Sequence, residues 1–563
     1  MRLRYFASVL LSGLLLFGST AVANAQASPP LIHLPRFTGS VDLAQGAIFW
    51  LGSVGVDGNY ADVRIGQNDQ RVSLSLHVFD RDLRYQQPGA DGWRNWDAVT
   101  VYLDTGNGPG EAITTSSYRF ETVLSEAWLP RKDFQRSSRG QAGAWVTGNV
   151  PVTTTAGIQG SMNNNVDDRG WTMVIQIPFA SLGLPASPGP GQTWRMALEL
   201  HDKDGTATLQ PVRLWPSAAN LNRPNTWGIM AFGPAETGAV PNMPSGRATL
   251  RHGVGGVVAP DAHVGGSSVC GDQTPDYFRD WGSANYAGVA QINIQNEWDI
   301  SDWPCFSKYY VTFPLNKVPT GVQVVSATLT VNLFGNAGYR AGDAKPSWVQ
   351  AATVAGAWAE NSITWNNAPP VAETISGTWV KPVDFYAEFP GVPYTWDVTK
   401  AVATAKATNQ PLRLALYSTD AAYHSGKYFW SADAGEPARP RLDVVWGEDL
   451  SNPGFKLDGA PKFQQLTSGQ SSTFTVDLDW TGGFDAPVTL TATSSAPEIS
   501  LQPQTITLTA EGTAQFTLRD IGSSSAGSIV PITITGEGGG KSQFITIAVL
   551  RNGSLIWLPA LAR

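Results

Sequence analysis

The residues whose chemistry reads most directly from this chain are acidic and aromatic. Asp202-Lys203-Asp204-Gly205 sets two carboxylates two residues apart before a turn glycine, and hard oxygens so placed suit calcium, although an ordinary solvated β-turn explains the string equally well. The further acidic positions and distant Glu of a full calcium loop do not follow. The chain also holds 21 tryptophans against 15% charged residues, and an indole is a flat, rigid, apolar surface on which the face of a sugar ring can stack. Nine of them precede Pro234, ten lie between Pro234 and Gly447 and two follow, so a binding surface is to be sought in the first two thirds. Trp93, Trp128, Trp145 and Trp215 stand beside Gly, Pro or polar breaks, where a loop exposes a ring at little cost, while Trp96 opens a predicted strand and fits either core or ligand contact.

Catalytic signatures do not stand out. The H-E-x-x-H, G-x-S-x-G, Walker and dinucleotide-binding patterns do not occur. Of the six histidines, His77 and His201 fall on predicted strands and His263 precedes a glycine pair, positions that suit structural roles. Glycoside hydrolysis requires two carboxylates across the scissile bond, one with a raised pKa. The 46 acidic residues do not exclude that by number, yet every region reads as a non-catalytic sandwich and no stretch remains for a barrel. The expectation is a non-enzymatic chain, with a hydrolase or lyase as the alternative.

Arg2 and Arg4, the apolar Val9–Phe17 run and Ala23-Asn24-Ala25 form a signal-peptide pattern over residues 1–25, which predicts export and a secreted or cell-surface location. That run is too short to span a bilayer, so no membrane insertion is expected. A net charge of −8 argues against nucleic acid, which calls for a basic face. In an oxidising compartment the only two cysteines, Cys270 and Cys305, are expected to pair, contributing roughly 3–4 kcal/mol in the chain-entropy model.

Glycine (58) and proline (38) are plentiful and apolar residues alternate with polar ones in Val72–Val78, Trp171–Ile177, Met196–Leu200 and Phe474–Trp480, so the fold class is all-β, as tandem sandwiches. Gly/Pro-rich breaks at 233–246 and 447–454 divide the mature chain into 30–233, 247–447 and 453–563. Asp397 precedes Val398, Val402 and Ala405, a spacing that predicts one short capped helix. The aromatics Trp281, Trp298 and Trp303 lie between the two cysteines and fit either a recognition loop or a secondary core.

Three strings in the first segment resemble family 9 carbohydrate-binding modules: Trp96–Asp104, Gly170–Phe179 with Ser181-Leu182-Gly183, and Trp194–Asp202 followed by Thr226–Phe232. The resemblance implies a sandwich that stacks aromatics on pyranose faces and holds structural calcium, with Trp171, Trp194 and Trp227 as core. In the second segment Ala357–Pro369, with Tyr310–Leu315, Val325–Val331, Trp396–Thr399 and Tyr428–Val444, resembles the DNRLRE domain, a relative of family 96 carbohydrate-binding modules. Trp358, Trp365 and Trp396 then belong to its architecture. Family 96 is associated with acidic polysaccharides, for which Arg340 with Lys345, or Lys427 near Arg439 and Arg441, would supply cations. The third segment looks like an immunoglobulin-like or fibronectin-like sandwich and, poor in aromatics, reads as a spacer.

The combined expectation is a secreted protein that binds polysaccharide or a cell-wall glycan. Its ligand-binding candidates are Trp93, Trp96, Trp128, Trp145 and Trp215, its metal candidates Asp202 and Asp204. A structural or adhesive surface protein with no sugar pocket is the alternative.

Overall fold

The computed structural model describes residues 28–85, 92–106, 110–124, 135–205, 208–235, 244–266, 277–297, 305–338, 342–447, 453–522 and 528–552. The signal segment, Trp128, Cys270, Trp298, Trp303 and Arg340 lie outside them. The protein is all-β: its one α-helix among the described residues is Thr399–Ala407, and Asp397 Oδ1 accepts the Thr399 N–H at 2.9 Å, satisfying a first-turn donor. No described helix is long and apolar enough to cross a membrane.

The first set of strands forms two layers, antiparallel except where Leu31–Leu34 runs parallel to Gly228–Phe232. One runs Ala47–Gly55, Gly58–Gln67, Arg71–Phe79, Gly170–Pro178, Thr153–Gln159. In the other, Thr193–His201 pairs with Ala98–Asp104, which leads on through Ser117–Val123 and Gln135–Gln141 to Ala144–Gly148. Period-2 alternation turns Val99, Val101, Leu103, Met196, Leu198 and Leu200 into the gap between the layers, where Trp171, Met173, Ile175 and Ile177 meet them. The opposite side of the second layer carries Tyr102, Arg119, Glu121, Arg136 and Glu199.

The second set, Gly246 to Gly447, is again two layers. Asp261–Gly265, Cys305–Phe313, Leu412–Ser418, Ser347–Val354 and Val371–Val380 make one. Gln323–Asn336, flanked by Val392–Asp397 and Arg441–Gly447, centres the other. The third set, Gly454 to Arg551, packs a four-stranded on a five-stranded sheet around Phe474, Val476, Leu478, Phe516 and Ile534. A backbone bond from Phe544 N–H to Pro244 O at 2.8 Å ties it to the connector.

The core runs across the boundary between the first two sets. One apolar cluster includes Trp50, Tyr60 and Phe79 from the first and Trp281, Phe306, Trp365 and Tyr417 from the second. All ten residues of Gly58–Gln67 are buried, because its inner face packs against its own sandwich and its outer face, with Tyr60, Asp62 and Arg64, against the neighbour. Backbone groups at this seam are matched by side-chain amides: Gln350 bonds both N–H and C=O of Ile48 at 3.0 and 2.9 Å, and Asn366 bonds both of Val54 at 2.8 Å each. Trp281, 1% exposed, packs on Trp365 at 4.7 Å, so it belongs to this core and not to a recognition loop.

Lys308 crosses the seam. Its ammonium lies 3.6 Å from the ring centre of Trp365, 4.0 Å from Trp50, 4.6 Å from Tyr60 and 5.0 Å from Tyr417. It donates to the Tyr60 hydroxyl at 2.5 Å; that hydroxyl donates to Asp62, which also accepts from Tyr417 at 2.8 Å and from Asn296 at 3.3 Å. Burial pushes the Lys308 pKa well down, against the opposing pull of Asp62. Removing one partner of such a buried arrangement leaves the other uncompensated. Lys308→Ala is therefore expected to destabilise the chain by about 3–5 kcal/mol, with Lys308→Met recovering the packing but not the charge. Urea unfolding of both variants checks this; an alanine variant as stable as the parent would show that the cage carries no energetic role.

Candidate functional site

The outward side of the Ala98–Asp104 sheet combines half-buried indoles with a charged floor. Successive strands place Glu199 opposite Thr100 and Arg136 opposite Glu121, while the outward alternation of Ala98–Asp104 brings up Tyr102. Glu121 is the hub: Arg136 reaches it through two bonds of 2.7 and 2.9 Å, Arg119 lies at 3.3 Å and Arg94 at 3.4 Å. Arg94 continues to Glu199 at 3.3 Å and donates to the Tyr102 hydroxyl at 2.7 Å, which donates to Glu199 at 2.6 Å. Burial alone would raise both carboxyl pKa values. For Glu121 the Arg136 bond and the charges of Arg119, Arg136 and Arg94 outweigh it, and for Glu199 the His201 ring 3.7 Å away, the Tyr102 bond and the Arg94 charge do so, leaving both lowered. The floor is thus a fixed set of ionised acceptors and guanidinium donors, with Arg94 and Arg136 about 40% open to solvent at 39% and 41%.

Three of the expected tryptophans border this floor. Trp93 lies beneath the Arg136 guanidinium at 5.5 Å, Trp145 beneath Arg119 at 5.4 Å and edge-on to Tyr102, and Trp96 beneath the Lys203 ammonium at 3.9 Å. All three are half-buried. Trp215 is not with them. It pairs opposite Leu198 on a short strand, so its ring turns inward with that leucine, is 3% exposed and packs on Phe49 at 4.2 Å. With Trp50 and Trp365 it lines a cavity of about 410 Å³ at the seam.

Asp202 and Asp204 also part company. Asp202 joins Asp80 and Asp97 in a buried triad whose carboxylate oxygens lie within 4.8 Å of one another, while Asp204 accepts from Gln210 at 2.6 Å on the neighbouring hairpin. Asp80 accepts from Asp82 N–H and Trp171 Nε1, and Asp97 from Lys203 N–H and Arg84 N–H, but Asp202 Oδ1 has no hydrogen-bond partner. Burial first, then the adjacent carboxylates, push all three pKa values up, Asp202 to about 7. Crowded, dry, hard oxygens with an orphan among them fit a divalent cation such as calcium. Asp97 follows Trp96 directly and Asp202 precedes Lys203, so an ion here would set the turn that carries Trp93 and Trp96.

In the second strand set two of the cations expected to meet an acidic glycan, Lys427 and Arg439, are occupied internally, whereas Arg441 is exposed and Arg340 lies outside the described residues. Lys427 is buried and donates to the carbonyls of Lys345 and Ser425, its pKa pressed down to about 8 by burial. Arg439 serves the carbonyls of Ala434 and His252, and Arg441 pairs with Asp443. What this set does expose is aromatic: Phe385 at 59%, Tyr386 at 64% and Phe389 at 55%. Tyr386 lies near parallel to Phe334 (16°, 6.3 Å), Phe334 stacks on Trp430 (28°, 4.2 Å), and Phe389 meets Trp430 at 6.0 Å. Phe385 holds φ at +60°, a conformation unfavourable for a bulky residue, and it does so on an exposed loop.

Residues 277–445 match carbohydrate-binding module family 96. No curated protein matches the sequence. Among solved structures, a family 9 carbohydrate-binding module from Caldicellulosiruptor kristjanssonii in complex with cellotriose is similar at 12% identity and a TM-score of 0.27, over 38% of this chain and 98% of that one. A putative carbohydrate-binding protein from Bacteroides uniformis is similar at 14% identity and a TM-score of 0.28, over 36% of this chain and 100% of that one.

Protons and a cation compete for the Asp80–Asp97–Asp202 oxygens. With no ion, carboxyls raised in the folded state hold protons that the unfolded chain has lost, so their contribution to stability falls as pH rises, for Asp202 between about 4 and about 7. Calcium must expel those protons, and fewer of them remain as pH rises past the Asp202 value, so the calcium-dependent rise in melting temperature is expected to be larger at pH 8 than at pH 5.5. Scanning calorimetry with calcium and with chelator, on the parent and on Asp202→Asn, checks this; a pH-dependent rise of the same size in Asp202→Asn would remove the triad as the site.

Proposed function

We propose that this protein is an exported, non-catalytic carbohydrate-binding protein whose main glycan site is the floor of Arg94, Tyr102, Arg119, Glu121, Arg136 and Glu199, bordered by Trp93, Trp96 and Trp145. The observation that carries the reading is the combination itself: half-open indoles for the C–H face of a sugar beside prearranged donors and acceptors for its hydroxyls. The family 96 match over the second strand set supports carbohydrate as the ligand class. Both floor carboxylates are held ionised by their partners, the opposite of the raised pKa a general acid needs, which favours binding over bond cleavage there.

The ring strip of Tyr386, Phe334, Trp430 and Phe389 serves as a second, charge-poor platform, and two platforms on one rigid body raise avidity for a polymer. The third sandwich, immunoglobulin-like in this reading, acts as a spacer. Calcium at the Asp80–Asp97–Asp202 triad fixes the Trp93–Trp96 turn, and a Cys270–Cys305 disulfide anchors the buried start of the Cys305–Phe313 strand. Mass spectrometry after non-reducing alkylation is expected to show neither thiol labelled.

Affinity electrophoresis through a panel of soluble polysaccharides tests the central claim. Retardation is expected in at least one polymer, weakened about 30-fold, or roughly 2 kcal/mol, by Trp93→Ala or Trp145→Ala. Tyr386→Ala with Phe389→Ala should lose the avidity contribution while leaving the first site intact. Uniform mobility of the parent chain in every polymer would leave a structural, adhesive surface protein as the better reading, and released reducing ends would mark an enzyme.

A further inference from the structure

A second carboxylate group lies far from the glycan floor, inside the second strand set. Asp261 opens the Asp261–Gly265 strand, Glu360 sits in the Ala357–Pro369 turn and Asp433 follows the Lys427–Trp430 strand. One oxygen from each lies within 4.8 Å of the others. Two oxygens held about 2.4 Å from one calcium ion stand at most about 4.8 Å apart, so the spacing is that of a shared ion.

The state of Asp261 points independently to a missing partner. It is 2% exposed, and its Oδ2 accepts from the Tyr309 hydroxyl and from Ala432 N–H, both at 2.7 Å, whereas Oδ1 has no hydrogen-bond partner. A buried carboxylate oxygen without a donor bears its desolvation uncompensated, the more so when charged. The supporting shell is built: Asn285 bonds the Glu360 carbonyl at 2.8 Å, and Ser431 Oγ accepts Asp433 N–H at 3.0 Å. Asp433 is exposed, which opens an entry path and room for water ligands.

We propose that Asp261, Glu360 and Asp433 bind a calcium ion that clamps the Ala357–Pro369 turn to two strand ends. Three ligands from separate loops suit calcium, which accepts six to eight irregular oxygens, better than magnesium with its strict octahedron. The clamp holds in place the turn whose Trp365 and Asn366 form the seam with the first sandwich, so loss of the ion is expected to loosen that seam.

Calorimetric titration of the chelator-treated full chain with calcium decides the matter. Asp202→Asn, which disables the other triad, should still bind one ion. Adding Glu360→Gln should weaken that binding at least tenfold, and Asp261→Asn should abolish it. Because Glu360 is only half-buried, its variant is the informative one should Asp261→Asn fail to fold. An Asp202→Asn chain that binds no calcium, or one whose affinity is unchanged by Glu360→Gln, overturns the proposal. Retention on polysaccharide is read separately and does not bear on it.

Discussion

A lysine surrounded by four aromatic rings fixes the relation between the first two sandwiches. Lys308 arises from one and finds Trp50 and Tyr60 on the other, so neither alone completes its surroundings. An ammonium out of water is tolerated only with several partners at once, and here ring faces, a tyrosine hydroxyl and, through it, Asp62 supply them. The paired amides of Gln350 and Asn366 act in the same direction, because each leaves two buried backbone groups unsatisfied if the sandwiches part. Such a seam permits one registration and resists sliding.

That constraint also decides which outer face of the first sandwich stays open. A sandwich has two outer surfaces, and the seam covers the one on the Gly58–Gln67 layer, where Tyr60, Asp62 and Arg64 are sealed. The surface on the Ala98–Asp104 layer stays open. Its charged residues cannot hydrate fully, since Glu121 and Glu199 are 2% and 7% exposed, so they satisfy one another in a fixed network. The same packing that seals Trp215, Trp281 and Trp365 leaves Trp93, Trp96 and Trp145 at the rim.

Much of this was legible in the residues. Alternation in Val72–Val78 and Trp171–Ile177 marked half-buried strands, and the Asp397 cap and helix follow from a local spacing. The floor has only a faint signal, Arg119-x-Glu121 and Glu199-x-His201, charges at period 2 in strands whose other positions are apolar, which is the mark of a polar outer face. Trp215 turns inward, against the expectation of a loop ring; a neighbouring proline does not reveal strand register. Asp80, Asp97 and Asp202 stand far apart in the chain and meet only where three strands end together. Phe385-Tyr386 and Phe389 stand outside the tryptophan pattern, although a phenyl ring is equally flat. The seam could not be read at all, as Lys308 and Asp62 are unremarkable until two folded layers meet.

The cations above the rim indoles bear on how a sugar could bind. Arg136 lies over Trp93, Arg119 over Trp145 and Lys203 over Trp96, each covering one face of its ring. A pyranose must take the other face or displace the cation. Displacement would forfeit about 0.5–1 kcal/mol at a partly exposed site, and for Arg119 or Arg136 would also disturb Glu121. Contact at a part of the ring left open by both the cation and the packing beneath it would need no such loss, and the cation would then hold the indole in position beforehand, saving part of the ordering entropy that binding otherwise costs. Since Arg136 both braces Trp93 and bonds Glu121, ring and floor form one network, and substitutions at the two are coupled rather than additive.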